Sequence, residues 1–230
     1  MDTTTEALEL VDRIGPAADF YKVGFELYAA GGMDFVAQLA SFGKKVFLDL
    51  KLYDIGETVK RATRKICQSG AVTFLTVHGS RSITNAAVEG RGESKLKLLA
   101  VTVLTSFDQE DLMDLGYPAS VSVSELVELR VKKAVESGVD GVISSALEIG
   151  RVRAAGGPGL TIVTPGVRSA GAAAGDQKRV ATPAQAIRAG ADYLVIGRQI
   201  TRAADPRAAY EEVLDEARGA AAPQLATSKV

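Results

Sequence analysis

Three charged residues stand at fixed spacing in and just past an apolar run: Asp49, Lys51 and Asp54, in the stretch Asp49-Leu50-Lys51-Leu52-Tyr53-Asp54-Ile55-Gly56-Glu57-Thr58. The preceding residues, Lys45-Val46-Phe47-Leu48, read as a strand that is buried on entry. Side chains two apart on a strand share a face, so Asp49 and Lys51 point the same way and Asp54 follows in the adjoining turn. Lys and Asp are almost never fully buried unless paired, and a carboxylate beside an ammonium is the simplest such pairing. An isolated Asp-x-Lys is also what a charged strand end meeting solvent looks like, so the company of the motif decides. Two further segments have the chemistry of phosphate recognition. Gly197-Arg198 follows the last apolar run, offering backbone N–H groups and a guanidinium capable of bidentate contact. The loop from Pro165 to Gln177 carries Arg168 and is too rich in Gly and Ala to hold one shape without a ligand, as lids are.

Composition narrows what such residues can serve. The formal net charge is -1 and no basic run interleaved with aromatic residues occurs, which argues against nucleic acid and for a small, locally recognised ligand. The single cysteine, Cys67, can form no internal disulfide and no zinc site by itself; with Ala62, Ile66 and Ala71 around it on a helix, it reads as a structural thiol. No signal peptide precedes the first periodic segment and no apolar run is long enough to span a bilayer, so a cytosolic protein is expected.

The positioning elements alternate. Helical spacing runs from Thr5 to Ile14, from Met33 to Ser41, from Gly56 to Gln68, from about Ser82, from Val123 to Ser137, from Ala146 to Ala154, from Pro183 to Ala189 and from Pro206 to Arg218. Between these helices lie seven strand-like runs: Asp19–Phe25, the run ending at Asp49, Val72–His78, Leu96–Leu104, Val139–Ser144, Leu160–Thr164 and Asp192–Gly197. Continuous apolar strands alternating with helices predict a parallel sheet covered on both faces. Polar residues recur at the carboxyl ends of nearly every strand: Lys22, Asp49 with Lys51, His78, Thr105, Pro165 and Arg198. That distribution favours the rim of a (β/α)8 TIM barrel over the single switch point of an open sheet. Residues 1–218 are expected to form one catalytic domain, with 219–230 as a loose, Ala-rich tail.

The joint pattern resembles the orotidine 5'-monophosphate decarboxylase family. The core Asp49-x-Lys51-x-x-Asp54 with Ile55 and Thr58 is similar to that family's signature, which is usually written with His at Tyr53, Pro at Gly56 and Asn at Glu57. Tyr21-Lys22-Val23-Gly24 resembles its second-strand lysine, Val101-Thr-Val-Leu-Thr-Ser106 its fifth-strand segment, and Thr164-Pro-Gly-Val-Arg168 with Gly175-Asp-Gln-Lys-Arg179 its phosphate loop. Tyr193-Leu-Val-Ile-Gly-Arg198 resembles its last strand, and the likeness covers roughly residues 7 to 206. The ordered set is far more specific than any one motif.

The resemblance implies an alternating charge array of Lys22, Asp49, Lys51 and Asp54, the last donated by the second subunit of a homodimer with composite sites. It implies Lys51 as proton donor to the carbanion left when CO2 departs, and Asp49 facing the substrate carboxylate. Ile55, Thr58 and Thr105 would line the nucleotide site, Thr105 at the pyrimidine edge, while Arg168, Gln177, Gly197 and Arg198 would hold the phosphate. No metal or organic cofactor is implied. His78, the only histidine, is read as filling the rim, and Ser144, Ser145 and Asp176 lie near it without an assigned role.

Two rivals share the pattern. A metal-dependent barrel such as hexulose 6-phosphate synthase also carries Asp-x-Lys-x-x-Asp, but its second strand resembles Glu-Ile-Gly where this chain has Lys22-Val23-Gly24, and a protonated lysine cannot ligate Mg2+. A barrel kept only to bind a phosphorylated ligand has no need of Lys51. Relatives begin with a strand of the type Val-Ala-Leu-Asp before the first helix. Aligned through Ala7-Leu8 and Val11-Asp12-Arg13, this chain starts one residue after that Asp, so seven barrel strands are expected here, with the first absent.

Overall fold

Helix α1 (Thr4–Ile14) forms because Thr3 caps it, its Oγ1 accepting the Glu6 N–H at 3.2 Å, and because Ala7, Leu10, Val11 and Ile14 make one buried stripe. The structure, a computed structural model, describes residues 1–170 and 181–226. After a 3-10 turn at Gly15–Ala17 come β1 (Phe20–Val23), α2 (Phe25–Ser41), β2 (Lys45–Leu52), α3 (Gly56–Ser69), β3 (Phe74–His78), α4 (Arg81–Arg91) and β4 (Lys97–Val101). The chain continues through α5 (Gln109–Asp114), α6 (Val123–Ser137), β5 (Gly141–Ile143), a second 3-10 turn at Ala146–Glu148 and α7 (Ile149–Gly156). It ends with β6 (Thr161–Thr164), α8 (Pro183–Ala189), β7 (Tyr193–Leu194), α9 (Arg198–Thr201) and α10 (Pro206–Ala226). All seven expected strands are present among the described residues.

The chain packs as two compact units, Met1–Val101 with Lys133–Gly141, and Thr102–Lys132 with Val142 onward. In the first, β1 to β4 neighbour one another in chain order and pair in parallel, each crossover being a helix. This is the strand-helix alternation of a (β/α) barrel wall. Helices α3 and α4, which leave β2 and β3, pack so closely that a Cβ on Gly90 would lie 2.3 Å from the Lys60 carbonyl oxygen. Lys60 and Glu89 form an ion pair beside that contact. The start of β4 is tied by Asp140, whose Oδ2 accepts the Leu98 N–H at 2.8 Å and pairs with Arg91.

In the second unit, β5, β6 and β7 follow chain order, with Val163 and Thr164 in parallel register against Tyr193 and Leu194. Arg153 staples the entry to β6 and β7, donating to the Leu160 and Gly190 carbonyls at 2.7 and 2.9 Å and pairing with Asp192 at 2.9 Å. Asp192 in turn accepts the Ile162 N–H at 2.7 Å.

Several elements differ from the sequence reading, among them β2, which runs to Leu52 past its expected end at Asp49, and α9, which is additional. Helix α2 begins at Phe25, with non-helical Gly32 (φ 54°, ψ -150°) interrupting it, so the expected Met33–Ser41 helix is its second part. Helix α5 is additional and is held by a capping box between Asp108 and Asp111. The last strand is shorter than Asp192–Gly197, because Gly197 already caps α9. The tail expected to be loose from Gly219 is helical to Ala226, since alanines following an established helix favour its continuation. Among the described residues no helix is long and apolar enough to cross a membrane.

Candidate active site

Strand alternation builds the site in layers. Lys22 pairs with Phe47 and Phe47 with Phe74 in parallel register, so Phe20 and Lys22 on β1, Phe47 and Asp49 on β2, and Phe74 and Thr76 on β3 share one face. The three phenylalanines meet edge to face, with ring centroids of Phe20 and Phe74 4.9 Å apart and those of Phe47 and Phe74 6.1 Å apart. They form an apolar floor, and the next residues along the strands place Lys22, Asp49 and Thr76 on it.

Asp49 is only 7% exposed, yet both its oxygens are paired. The Lys22 ammonium lies 2.8 Å from Oδ2, and the Lys51 Nζ donates to both oxygens at 2.9 Å. Burial raises the Asp49 pKa, but the charge and hydrogen bond of Lys22, followed by those of Lys51, outweigh it and hold the carboxyl below its ordinary value. Asp49 is therefore an anion clamped between two cations, each lysine keeping about a third of its side chain in solvent. The open side of the Lys51 ammonium faces Phe25, 5.8 Å from the ring centroid.

Lys51 reaches this position through an irregular backbone. Between the pairs Leu48 with Leu75 and Leu52 with Val77, β2 advances four residues while β3 advances two, so β2 bulges through Asp49, Leu50 and Lys51. Lys51 has φ 44°, the sole non-glycine residue with positive φ among the described residues. Such a conformation costs on the order of 1–3 kcal/mol and is held only where the surroundings determine it. Here the Lys51 N–H donates to Thr76 Oγ1 at 2.9 Å, and that hydroxyl donates to Asp49 Oδ1 at 2.9 Å. Thr76, fully buried, was not among the sequence candidates. Its signal was a hydroxyl two residues before His78, on the same face of the strand.

The remaining candidates fall in two groups. Asp54, Ile55 and Thr58 lie beyond the strand end at the start of α3, all exposed; Asp54 Oδ1 accepts the Ile55 N–H at 2.6 Å and joins no ion pair among the described residues. The structure thus unites Lys22, Asp49 and Lys51, and Asp54 makes no ion pair with them among the described residues. Tyr53, standing where the signature has His, stacks on His78 with centroids 4.3 Å apart, and His78 Nδ1 accepts the Ser80 N–H at 3.3 Å as α4 begins. His78 thus stands at the end of β3 between Tyr53 and the start of α4.

The second unit holds the others. Thr105 lies in the turn closed by the Phe107 N–H bond to the Leu104 carbonyl just after β4. The Arg168 N–H donates to the Ala181 carbonyl at 3.0 Å, and the next residue, Ser169, donates its N–H to Gln199 Oε1 at 2.9 Å and its hydroxyl to Glu216 at 2.8 Å. The Ser169 bond to Gln199 sets the neighbours of Arg168 and Arg198 in contact. Ser144 and Ser145 are buried at the end of β5, Ser145 capping the following turn. Gln177 and Asp176 lie outside the described residues.

A family model described as orotidine 5'-phosphate decarboxylase / HUMPS matches residues 1–213. Among curated relatives, an orotidine 5'-phosphate decarboxylase of Methylorubrum extorquens is 55% identical over 212 residues, covering 92% of this chain and 90% of the relative. One of Rhodopseudomonas palustris is 52% identical over 211 residues, covering 92% and 88%. The crystal structure of orotidine 5'-phosphate decarboxylase from Lactobacillus acidophilus superposes with a TM-score of 0.82 at 35% identity, covering 94% of this chain and 95% of that one. The fold is accordingly that of a TIM barrel. With a family model matched over residues 1–213 and relatives above half identity named orotidine 5'-phosphate decarboxylase, the chain belongs to the orotidine 5'-phosphate decarboxylase / HUMPS family.

Proposed function

We propose that the chain is a carboxy-lyase that converts orotidine 5'-monophosphate to uridine 5'-monophosphate in pyrimidine biosynthesis, with Lys51 as the proton donor. The observation that carries this reading is the clamp of Asp49 between Lys22 and Lys51 at 2.8 and 2.9 Å on a phenylalanine floor. When the bond from carbon 6 to the carboxylate breaks, CO2 leaves and the electron pair stays on carbon 6, where no carbonyl can delocalise it. An ammonium already fixed beside that atom stabilises the charge as it develops, then gives its proton to form the new C–H bond. Lys51 is left as a neutral amine and is reprotonated from solvent. Asp49 fixes the ammonium, and Lys22 keeps Asp49 ionised while the neutral amine persists.

The member of this family that uses a metal to act on sugar phosphates is not favoured: Lys22 stands where that class carries a carboxylate, and its ammonium is engaged by Asp49. The substrate phosphate is assigned to Arg168, Gln177, Gly197 and Arg198, and the pyrimidine edge to Thr105. Binding energy gathered at the phosphate, remote from carbon 6, drives closure around the base. The working form is a homodimer in which Asp54 enters the partner's site. Its support is that Asp54 points outward between Tyr53 and Ile55, side chains left 71% and 73% exposed. The test is loss of orotate absorbance on adding orotidine 5'-monophosphate, with and without chelator. Turnover insensitive to chelator is expected; no turnover, or turnover that the chelator abolishes, would overturn the reading.

A further inference from the structure

We infer that Thr76 is a positioning residue that fixes the proton donor through its backbone, an inference that rests on Lys51 having the role given above. The hydroxyl of Thr76 closes a ring of hydrogen bonds. It accepts the Lys51 N–H at 2.9 Å and donates to Asp49 Oδ1 at 2.9 Å, while that same carboxylate accepts from Lys51 Nζ at 2.9 Å. One hydroxyl has one proton and two lone pairs, so it can satisfy both partners at once. Lys51 is therefore held at two points, by its ammonium and by its backbone, and both holds converge on Asp49.

The backbone hold is needed because of the bulge. With two extra residues in β2 between its pairs with β3, the Lys51 N–H has lost the ladder partner that a regular strand would give it, and its φ of 44° is one that a lysine seldom adopts. A buried N–H must find an acceptor, and among the described residues the Thr76 side chain supplies it. Thr76 itself is fully buried in the middle of β3, in register with Leu99 of β4, so it cannot move with solvent-exposed loops. The two holds also differ during the reaction. As Nζ gives up its proton, its attraction to Asp49 weakens, whereas the bond from the backbone to Thr76 does not change. Thr76 then keeps the amine in place for reprotonation. It touches neither Lys22 nor the phosphate residues in these contacts, so its loss should fall on the chemical step and not on substrate binding.

Three variants test this in the full-length chain with orotidine 5'-monophosphate as substrate. Thr76→Val keeps the shape and removes the hydroxyl: kcat is expected to fall about 10- to 100-fold with KM within about threefold. Thr76→Ser, which keeps the hydroxyl, is expected to retain kcat within about threefold of wild type. A Thr76→Val enzyme with wild-type kcat overturns the inference. So does a folded Thr76→Ser enzyme as slow as Thr76→Val, because packing of the methyl group would then be the cause. If Thr76→Val does not fold, Thr76→Cys, a weak donor of similar size, takes its place with the same two readings. A readout independent of activity is hydrogen exchange at the Lys51 amide, expected to speed up about tenfold or more in Thr76→Val; unchanged exchange overturns the inference. An inactive wild-type chain would strike the decarboxylase reading instead, and the exchange measurement would still judge Thr76.

Discussion

At the level of single residues, the site depends on one buried anion and the cations that face it. Asp49 has a lowered pKa in the folded chain because Lys22 and Lys51 outweigh the effect of burial. A group of this kind contributes stability above its unfolded pKa, about 4 for Asp, and that contribution is lost as pH falls through the lower folded value. Asp49→Asn should therefore be less stable than wild type at neutral pH and should show a weaker dependence of stability on pH below about 4, measured by urea unfolding across pH. The loss at pH 7 is expected on the order of 2 kcal/mol, below that of a fully buried pair because both lysines retain solvent. Equal pH dependence in the two proteins would mean that the clamp does not exist in solution. Of these residues, Lys22, Asp49 and Lys51 were legible from sequence because charges at apolar strand ends are conspicuous. Thr76 was not, because its role arises from the bulge that brings it under Lys51, and a bulge is a property of two strands together.

At the level of elements, the strands were legible because parallel strands buried on both faces read as continuous apolar runs; six of the seven fall inside their expected runs, and β2 continues past its expected end at Asp49 to Leu52. What was not legible had no apolar period to show it. Helix α5 is set by the capping box of Asp108 and Asp111 in a polar stretch, and α9 begins only because the chain turns at Gly197. The close approach of α3 and α4 fixes where β2 and β3 release the Asp54 turn and His78. Gly90→Ala would place a methyl 2.3 Å from the Lys60 carbonyl and should destabilise by about 1–3 kcal/mol in denaturant unfolding; an unchanged midpoint would contradict the contact. In the second unit, the bonds of Ser169 to Gln199 and Glu216 bring the residue after Arg168 against the residue after Arg198 and against α10. Arg198→Ala is accordingly expected to raise KM about 10- to 100-fold, the worth of one hydrogen bond to a charged group. Added phosphite dianion should then activate a nucleoside substrate less well than in wild type. Equal activation in both would remove Arg198 from the phosphate site.

For the whole molecule, the decisive matter is whether each site is completed by a second copy. Asp54 joins no ion pair with Lys22 or Lys51 among the described residues and is exposed, with Tyr53 and Ile55 beside it exposed as well. Asp54→Ala and Lys51→Ala subunits, each inactive alone, should recover up to about a quarter of wild-type activity when exchanged, since half the dimers are hybrids and one hybrid site in two is intact. Absence of recovery after demonstrated exchange would refute the shared site.

The role of Lys51 is tested most directly by Lys51→Ala, assayed for loss of orotate absorbance under saturating orotidine 5'-monophosphate alongside wild type, with thermal unfolding of both recorded. An ammonium that both stabilises the carbanion and supplies its proton acts on charge present only in the transition state. The variant should stay folded and bind substrate while kcat falls by about a thousandfold or more. A folded Lys51→Ala enzyme with kcat within about tenfold of wild type would contradict the assignment of Lys51 as the proton donor.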